Sequence, residues 1–161
     1  MKVEHINPFL RAVTNTFSTM LATNAKRGEL SVGDPKIRQF PVSGVIGLSG
    51  GASGMVVINL SKEVAVRAAS AMLMEEKTEI DDEVLDAVGE LANVIAGQAK
   101  TELAEYNLSV GLPNVITGEG HEIRFPSATP PLAVAFQTEM GPLRLEVGFE
   151  PSNQPAELAT V

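Results

Sequence analysis

The residues best placed to do chemistry lie in one stretch, DAVGELANVIAG, residues 86–97. Glu90 and Asn93 stand three residues apart, with Asp86 one turn earlier and Gly97 one turn later. At about 100° per residue in a helix, Asp86, Glu90, Asn93, Gly97 and Ala104 fall within a narrow stripe. Val88, Leu91, Ile95 and Ala99 lie opposite, where a core is expected. The stripe is therefore expected to face solvent, offering a carboxylate and a carboxamide among the small residues Gly89, Ala96 and Gly97. Glycine inside a helix costs about 0.8–1.0 kcal/mol relative to alanine. Two glycines beside the polar pair have a use if a second molecule must come close to the Glu90 and Asn93 tips. The spacing alone also describes an ordinary solvated face. Glu4 and Asn7 repeat it across a helix start, and Glu150 and Asn153 repeat it around Pro151.

The elements that must position this pair can be read from periodicity. Asn7, Pro8 and the apolar run Phe9, Leu10, Val13, Phe17, Met20, Leu21 predict a helix over 8–23, with Asn7 as cap and Pro8 at its first position. The alternation in ELSVGDPKIRQF and in VSGVIGLSGGASGMVVINL predicts strands, the second segment a hairpin turning on glycines near 50–54. Ser61 caps a short amphipathic helix expected over 62–74. The longest helix is expected over 81–105 and carries Glu90 and Asn93. LSVGLPNVITG, PPLAVAFQTEMG and LRLEVGFE follow as strands, with PLAVAF and LRLEVGF suggesting an unprotected sheet edge. Residues 1–150 are expected to form one domain, and 151–161 a polar tail that frays.

Parts of the chain repeat. FLRAVTNTFSTM (9–20) aligns with VLDAVGELANVI (84–95) at an offset of 75, so Leu10, Ala12 and Val13 meet Leu85, Ala87 and Val88. Each helix is followed by a hairpin segment. This predicts duplicated helix-plus-hairpin units, an α+β fold with two long helices packed on an antiparallel sheet. Under the alignment Glu90 falls on Asn15 and Asn93 on Ser18. The apolar positions match while the polar pair does not.

Composition limits the function classes. The chain has 161 residues, 44 % hydrophobic and 20 % charged, room for one real core. No run of 18 apolar residues is present, and the first residues lack the apolar block of a signal peptide. Cysteine is absent, which fits a cytoplasmic protein and excludes thiol chemistry. The net charge of −8 argues against nucleic acid and anionic membranes, because counterion release needs clustered cations. A protein partner with basic contacts suits it better. GLSGG at 47–51 formally matches a nucleophile elbow around Ser49, yet strand rather than helix follows it. His5 and His121 have no ligand-spaced companions for a metal.

The motif D-x-x-x-E-x-x-N followed by glycine stands here as Asp86, Glu90, Asn93 and Gly97, with Pro113 downstream. With the NPFLRAV opening and the duplication, these residues resemble the CheC/CheX/FliY family of chemotaxis phosphatases, nearest its CheX branch, over about residues 5–150. The resemblance implies a CheC-like fold, a homodimer joined through sheet edges, and hydrolysis of the aspartyl phosphate on a CheY-type response regulator. It implies one site per chain, because the first copy has Asn15 and Ser18. Asn93 would orient the attacking water, since a carboxamide can both donate to and accept from it but cannot act as a base near neutral pH. Glu90 would pair with a basic residue of the partner. Asp86, Gly89 and Gly97 would lie at the partner contact, with Asp86 either steering the partner or merely solvating the helix. No cofactor of its own is implied, because the regulator supplies Mg²⁺. The alternative is a non-catalytic dimeric scaffold that binds a regulator.

Overall fold

The computed structural model describes residues 2–34 and 36–152. After a 3₁₀ turn, Val3–Ile6, come α1 (Asn7–Leu21), β1 (Lys26–Val32), β2 (Val42–Gly50), β3 (Ala52–Leu60), α2 (Lys62–Leu73) and α3 (Asp82–Glu102). The second half has β4 (Leu108–Val110), β5 (Asn114–Thr117), β6 (Leu132–Thr138) and β7 (Gly141–Pro151). Every strand pairing is antiparallel, in the order β1-β6-β7-β3-β2-β4, with β5 also on β2. The result is the expected α+β fold, three helices against an antiparallel sheet.

The duplication is visible in this order. Hairpins β2–β3 and β6–β7 meet through their second strands, β3 and β7, at the centre of the sheet. Each half sends its remaining strand across to the other half: β1 flanks β6, and β4 and β5 flank β2. The edge expected at PLAVAF and LRLEVGF is thus not an edge. β6 is covered by β1, and β7 lies between β6 and β3. The exposed edges are β1, solvated along nearly its whole length, and β4 with β5.

One face of the sheet and the three helices share a single core, including Phe9, Phe17, Ile46, Ile58, Leu91, Ile95, Leu143, Leu145 and Phe149. Fully burying a side chain of this size is worth about 1.5–3 kcal/mol, so this layer dominates stability. The other sheet face is polar at its centre. Asn59 accepts from the Phe40 amide at 2.8 Å and donates to Ser43 Oγ at 2.7 Å. Glu146 accepts from Gln39 at 2.9 Å and Arg144 at 3.1 Å. The chain after β5 closes over this face, where His121 Nε2 meets Ser43 Oγ at 2.8 Å.

Element boundaries depart from expectation at the caps. Asn7 is inside α1, not its cap; the 3₁₀ turn runs directly into the helix, and Ile6 precedes it in helical conformation. α1 stops at Leu21 because Ala22 turns left-handed (φ 51°). Ser61 does cap α2, accepting from the Val64 amide at 3.4 Å. α3 ends at Glu102 and gives way to a 3₁₀ turn, Ala104–Tyr106. The first hairpin turns tightly at Gly50 and Gly51 rather than over five residues, since Gly50 has φ 101°. Pro151 and Ser152, assigned to the tail, are paired: Pro151 opposite Ala52, and the Ser152 amide to Gly51 O at 2.7 Å. The rest of the tail expected to fray lies outside the described residues.

Candidate active site on helix α3

α3 is held firmly from below and at its start. Val88, Leu91, Ala92, Ile95 and Ala99 are buried, as the periodicity requires. Gly44 of β2 permits the close approach: a Cβ there would lie 2.8 Å from Ala92 Cβ. Asp81 caps the helix, accepting from the Val84 amide at 2.9 Å. That hydrogen bond, with a second from Lys77 Nζ at 3.0 Å, holds the Asp81 carboxyl below the usual carboxylate range. Lys77 also reaches Glu83 Oε1 at 2.6 Å, and the two carboxylates raise its pKa. Lys77, at the start of α3, is thereby taken up by Asp81 and Glu83.

Asp86, Glu90 and Asn93 are exposed on the face away from the core. Among the described residues, none of the three has a hydrogen bond or ion pair, so their polar tips are offered outward. Gly97 lies on the same face, and a Cβ added there would meet nothing within 4 Å. The fold itself therefore has no need of glycine at 97.

Gly89 behaves differently. It is buried, and a Cβ would sit 3.3 Å from Val115 Cγ2 and 3.5 Å from Pro113 Cγ. It seats the β4–β5 connection against α3, whereas the family resemblance implied a place for it at the partner contact. Pro113 thus stands beside the helix turn that carries Glu90, which its distance along the chain did not reveal. Ala96 is likewise buried, and Ala104 falls beyond the helix in the following turn.

On its other flank α3 borders a cleft of about 470 Å³ lined by Met20, Leu73, Met74, Glu83, Asp86 and Glu90, among others. α2 closes on two methionines, Met72 inside the helix and Met74 at its C-cap. Met72 does pack against the core, but Met74 is 93 % exposed. No pattern in the sequence marks it, because exposure of a lone methionine is decided by the turn that carries it.

The decoys resolve into structure. Ser49 sits on β2 opposite Ser109, and β3 follows it instead of a helix. His121 Nδ1 donates to Gly118 O at 2.7 Å while its Nε2 meets Ser43 Oγ, and His5 meets the Tyr106 hydroxyl at 2.9 Å beside Phe149. No helix among the described residues is long and apolar enough to cross a membrane.

Comparison with known proteins agrees with this geometry. Residues 42–137 match the family described as chemotaxis phosphatase CheX, a span that contains the whole of α3. The chain is 30 % identical over 128 residues to the CheY-P phosphatase CheX of Thermotoga maritima, covering 77 % of this chain and 82 % of that protein. It is also similar to a CheC-like superfamily protein from a Shewanella species, with TM-score 0.85, 31 % identity and coverage of 93 % and 99 %. A CheX–CheY–BeF₃–Mg²⁺ complex from Borrelia burgdorferi matches with TM-score 0.78 and 26 % identity, over 92 % of this chain and 99 % of that one. A partly buried helix with an open Glu–Asn face, set on a duplicated sheet and matched over most of its length, places the chain in the CheX family of chemotaxis phosphatases.

Proposed function

We propose that this protein hydrolyses the aspartyl phosphate of a CheY-type response regulator, with Asn93 and Glu90 as the working pair. The carrying observation is that both side chains stand exposed and unpartnered on a helix whose underside is rigidly packed. A family relative acts on phosphorylated CheY, and another is known in complex with CheY, beryllofluoride and Mg²⁺.

The reaction is attack of a water oxygen on phosphorus with cleavage of the bond from phosphorus to the aspartate oxygen. It yields inorganic phosphate and the free carboxylate. Phosphoryl transfer is governed largely by positioning and electrostatics. Asn93 accepts a hydrogen bond from the water and donates one to it or to a phosphoryl oxygen, fixing the water in line. Ordering the nucleophile in this way removes an entropic part of the barrier. Glu90 pairs with a cationic side chain on the regulator and sets the helix in register. An unpaired carboxylate at that place would repel the phosphoryl group. Mg²⁺ comes with the regulator. Asp86 extends the acidic face by one turn and adds attraction for a basic partner.

The protein works as a homodimer in this reading, joined along an exposed edge strand, where unpaired backbone groups await a partner. Sedimentation of the purified chain tests that part separately.

The test of the catalytic reading is phosphate release from a CheY-type receiver charged by a small phosphodonor with Mg²⁺. Wild type accelerates it, Asn93→Ala abolishes the acceleration while still binding, and Glu90→Ala raises the regulator concentration required. Binding without acceleration by wild type would instead make the protein a scaffold.

A further inference from the structure

We infer that Met74, with Leu73 and Met20 beside it, is the apolar anchor that seats the phosphorylated receiver domain against α3. The inference rests on the reading above and adds the surface that holds the substrate.

Met74 occupies an unusual place. It closes α2 in the left-handed conformation, φ 54° and ψ 38°, with its amide on Ser70 O. Glycine is the usual residue at such a position, because a Cβ there is sterically costly. A methionine that is 93 % exposed gains almost nothing from folding in return. Leu73 at 38 % and Met20 at 39 % exposure line the same cleft, so the apolar surface is continuous.

The turn carrying Met74 is built rather than loose. The Glu75 amide donates to Ser70 O at 3.2 Å, and the Lys77 amide to Ser70 Oγ at 2.8 Å. Ser70 Oγ itself donates to Val66 O at 2.7 Å. The backbone is preorganised, so docking has little ordering cost there. The thioether remains adaptable, as suits a contact with a folded domain.

Charge selects the occupant. Lys77 is engaged with Asp81 and Glu83. Asp86 and Glu90 on the cleft, and Glu75 and Glu76 directly after Met74 in the chain, are exposed and have no ion pair among the described residues. Nucleic acid and anionic lipid are repelled by these carboxylates, and a second copy of the same face would set acid against acid. A protein with an apolar spot inside a basic rim fits. Asp86 and Glu90 line the cleft with Met74, so that protein is the one whose phosphoryl group reaches Asn93.

The test is Met74→Gly, which removes the side chain and suits the left-handed backbone. Its melting temperature is expected to be no lower than wild type. With a CheY-type receiver charged by acetyl phosphate and Mg²⁺, KM is expected to rise about tenfold with kcat retained. A KM unchanged within twofold overturns the anchor while leaving the phosphatase reading intact. If wild type shows no hydrolysis, that reading fails, and the beryllofluoride–Mg²⁺ receiver decides the anchor. Weaker binding by Met74→Gly than by wild type supports it, whereas equal binding, or none by either, overturns it. A change of oligomeric state in Met74→Gly, read by sedimentation, would assign the Met74 cleft to self-association and also overturn it.

Discussion

Helices α1 and α3 are two versions of one element, and their outer faces have opposite fates. Under the repeat alignment, Asp86, Glu90 and Asn93 of α3 correspond to Arg11, Asn15 and Ser18 of α1. Arg11 is paired with Glu102 at 2.7 Å, and Asn15 Nδ2 donates to Gln98 Oε1 at 3.1 Å. Both partners come from α3. The α1 face is therefore tied to its neighbour and helps join the two helices, while the α3 face is left free. The charge at the first position is also inverted, from arginine to aspartate. A polar helix face is open to a second molecule when its groups have no partner inside the fold, and acts as a brace when they do.

The sharpest way to break this comparison is to remove the two equivalent polar tips. Asn93→Ala is expected to lower phosphatase turnover by about a hundredfold or more, as for loss of a group acting in the transition state. Ser18→Ala is expected to stay within about twofold of wild type. Equal effects on regulator dephosphorylation would mean that the two faces do not differ as claimed.

The undersides offer the next largest contrast. Leu91 is fully buried, and Leu91→Ala is expected to cost about 2–5 kcal/mol in urea unfolding. Its counterpart Thr16 is equally buried, but its hydroxyl has no partner. Thr16→Val removes that orphan group and is expected to stabilise by about 1 kcal/mol, with activity unchanged. A destabilised Thr16→Val would show that the hydroxyl is satisfied after all.

Gly97 sharpens the claim that α3 keeps its face low for a visitor. Gly97→Ala adds a methyl group into open space and is expected to stabilise by about 0.8–1.0 kcal/mol. The same change is expected to raise KM for the phosphorylated regulator. Stabilisation with unaltered kinetics would remove the need for close approach at 97.

The smallest expected effect concerns the cap that starts α3. The Asp81 carboxyl is held below its ordinary range by the Val84 amide and Lys77. Its contribution to stability is therefore present above the usual carboxylate pKa and is lost as pH falls through the lowered value. Asp81→Ala is expected to melt below wild type at pH 7, with the gap closing in acid. A gap that persists at low pH would assign the loss to something other than the ionised cap.

Much of this was legible along the chain because helix and strand periods are local. Val88, Leu91, Ile95 and Ala99 announce the buried side of α3, and with it the open side bearing Glu90 and Asn93. Alignment of 9–20 with 84–95 exposes the duplication and shows that only one copy carries the pair. Ser61 before an amphipathic run marks its helix start for the same local reason.

Tertiary structure decided the rest, since strand partners and side-chain neighbours are not local properties. Nothing in the alternation of β6 says that β1 will cover it, so the edge was misplaced. Gly89 and Gly97 look alike in sequence, but one lies under Pro113 and Val115 while the other faces open space. Asn7 reads as a cap, but the preceding 3₁₀ turn supplies the helix start. Met74 carries no mark in the sequence, and only the left-handed turn after α2 lifts it into solvent beside Asp86 and Glu90. The sequence by itself determined which residues could act and on which helix. The fold decided which of them would be left without a partner, because that depends on what packing brings within a few ångströms.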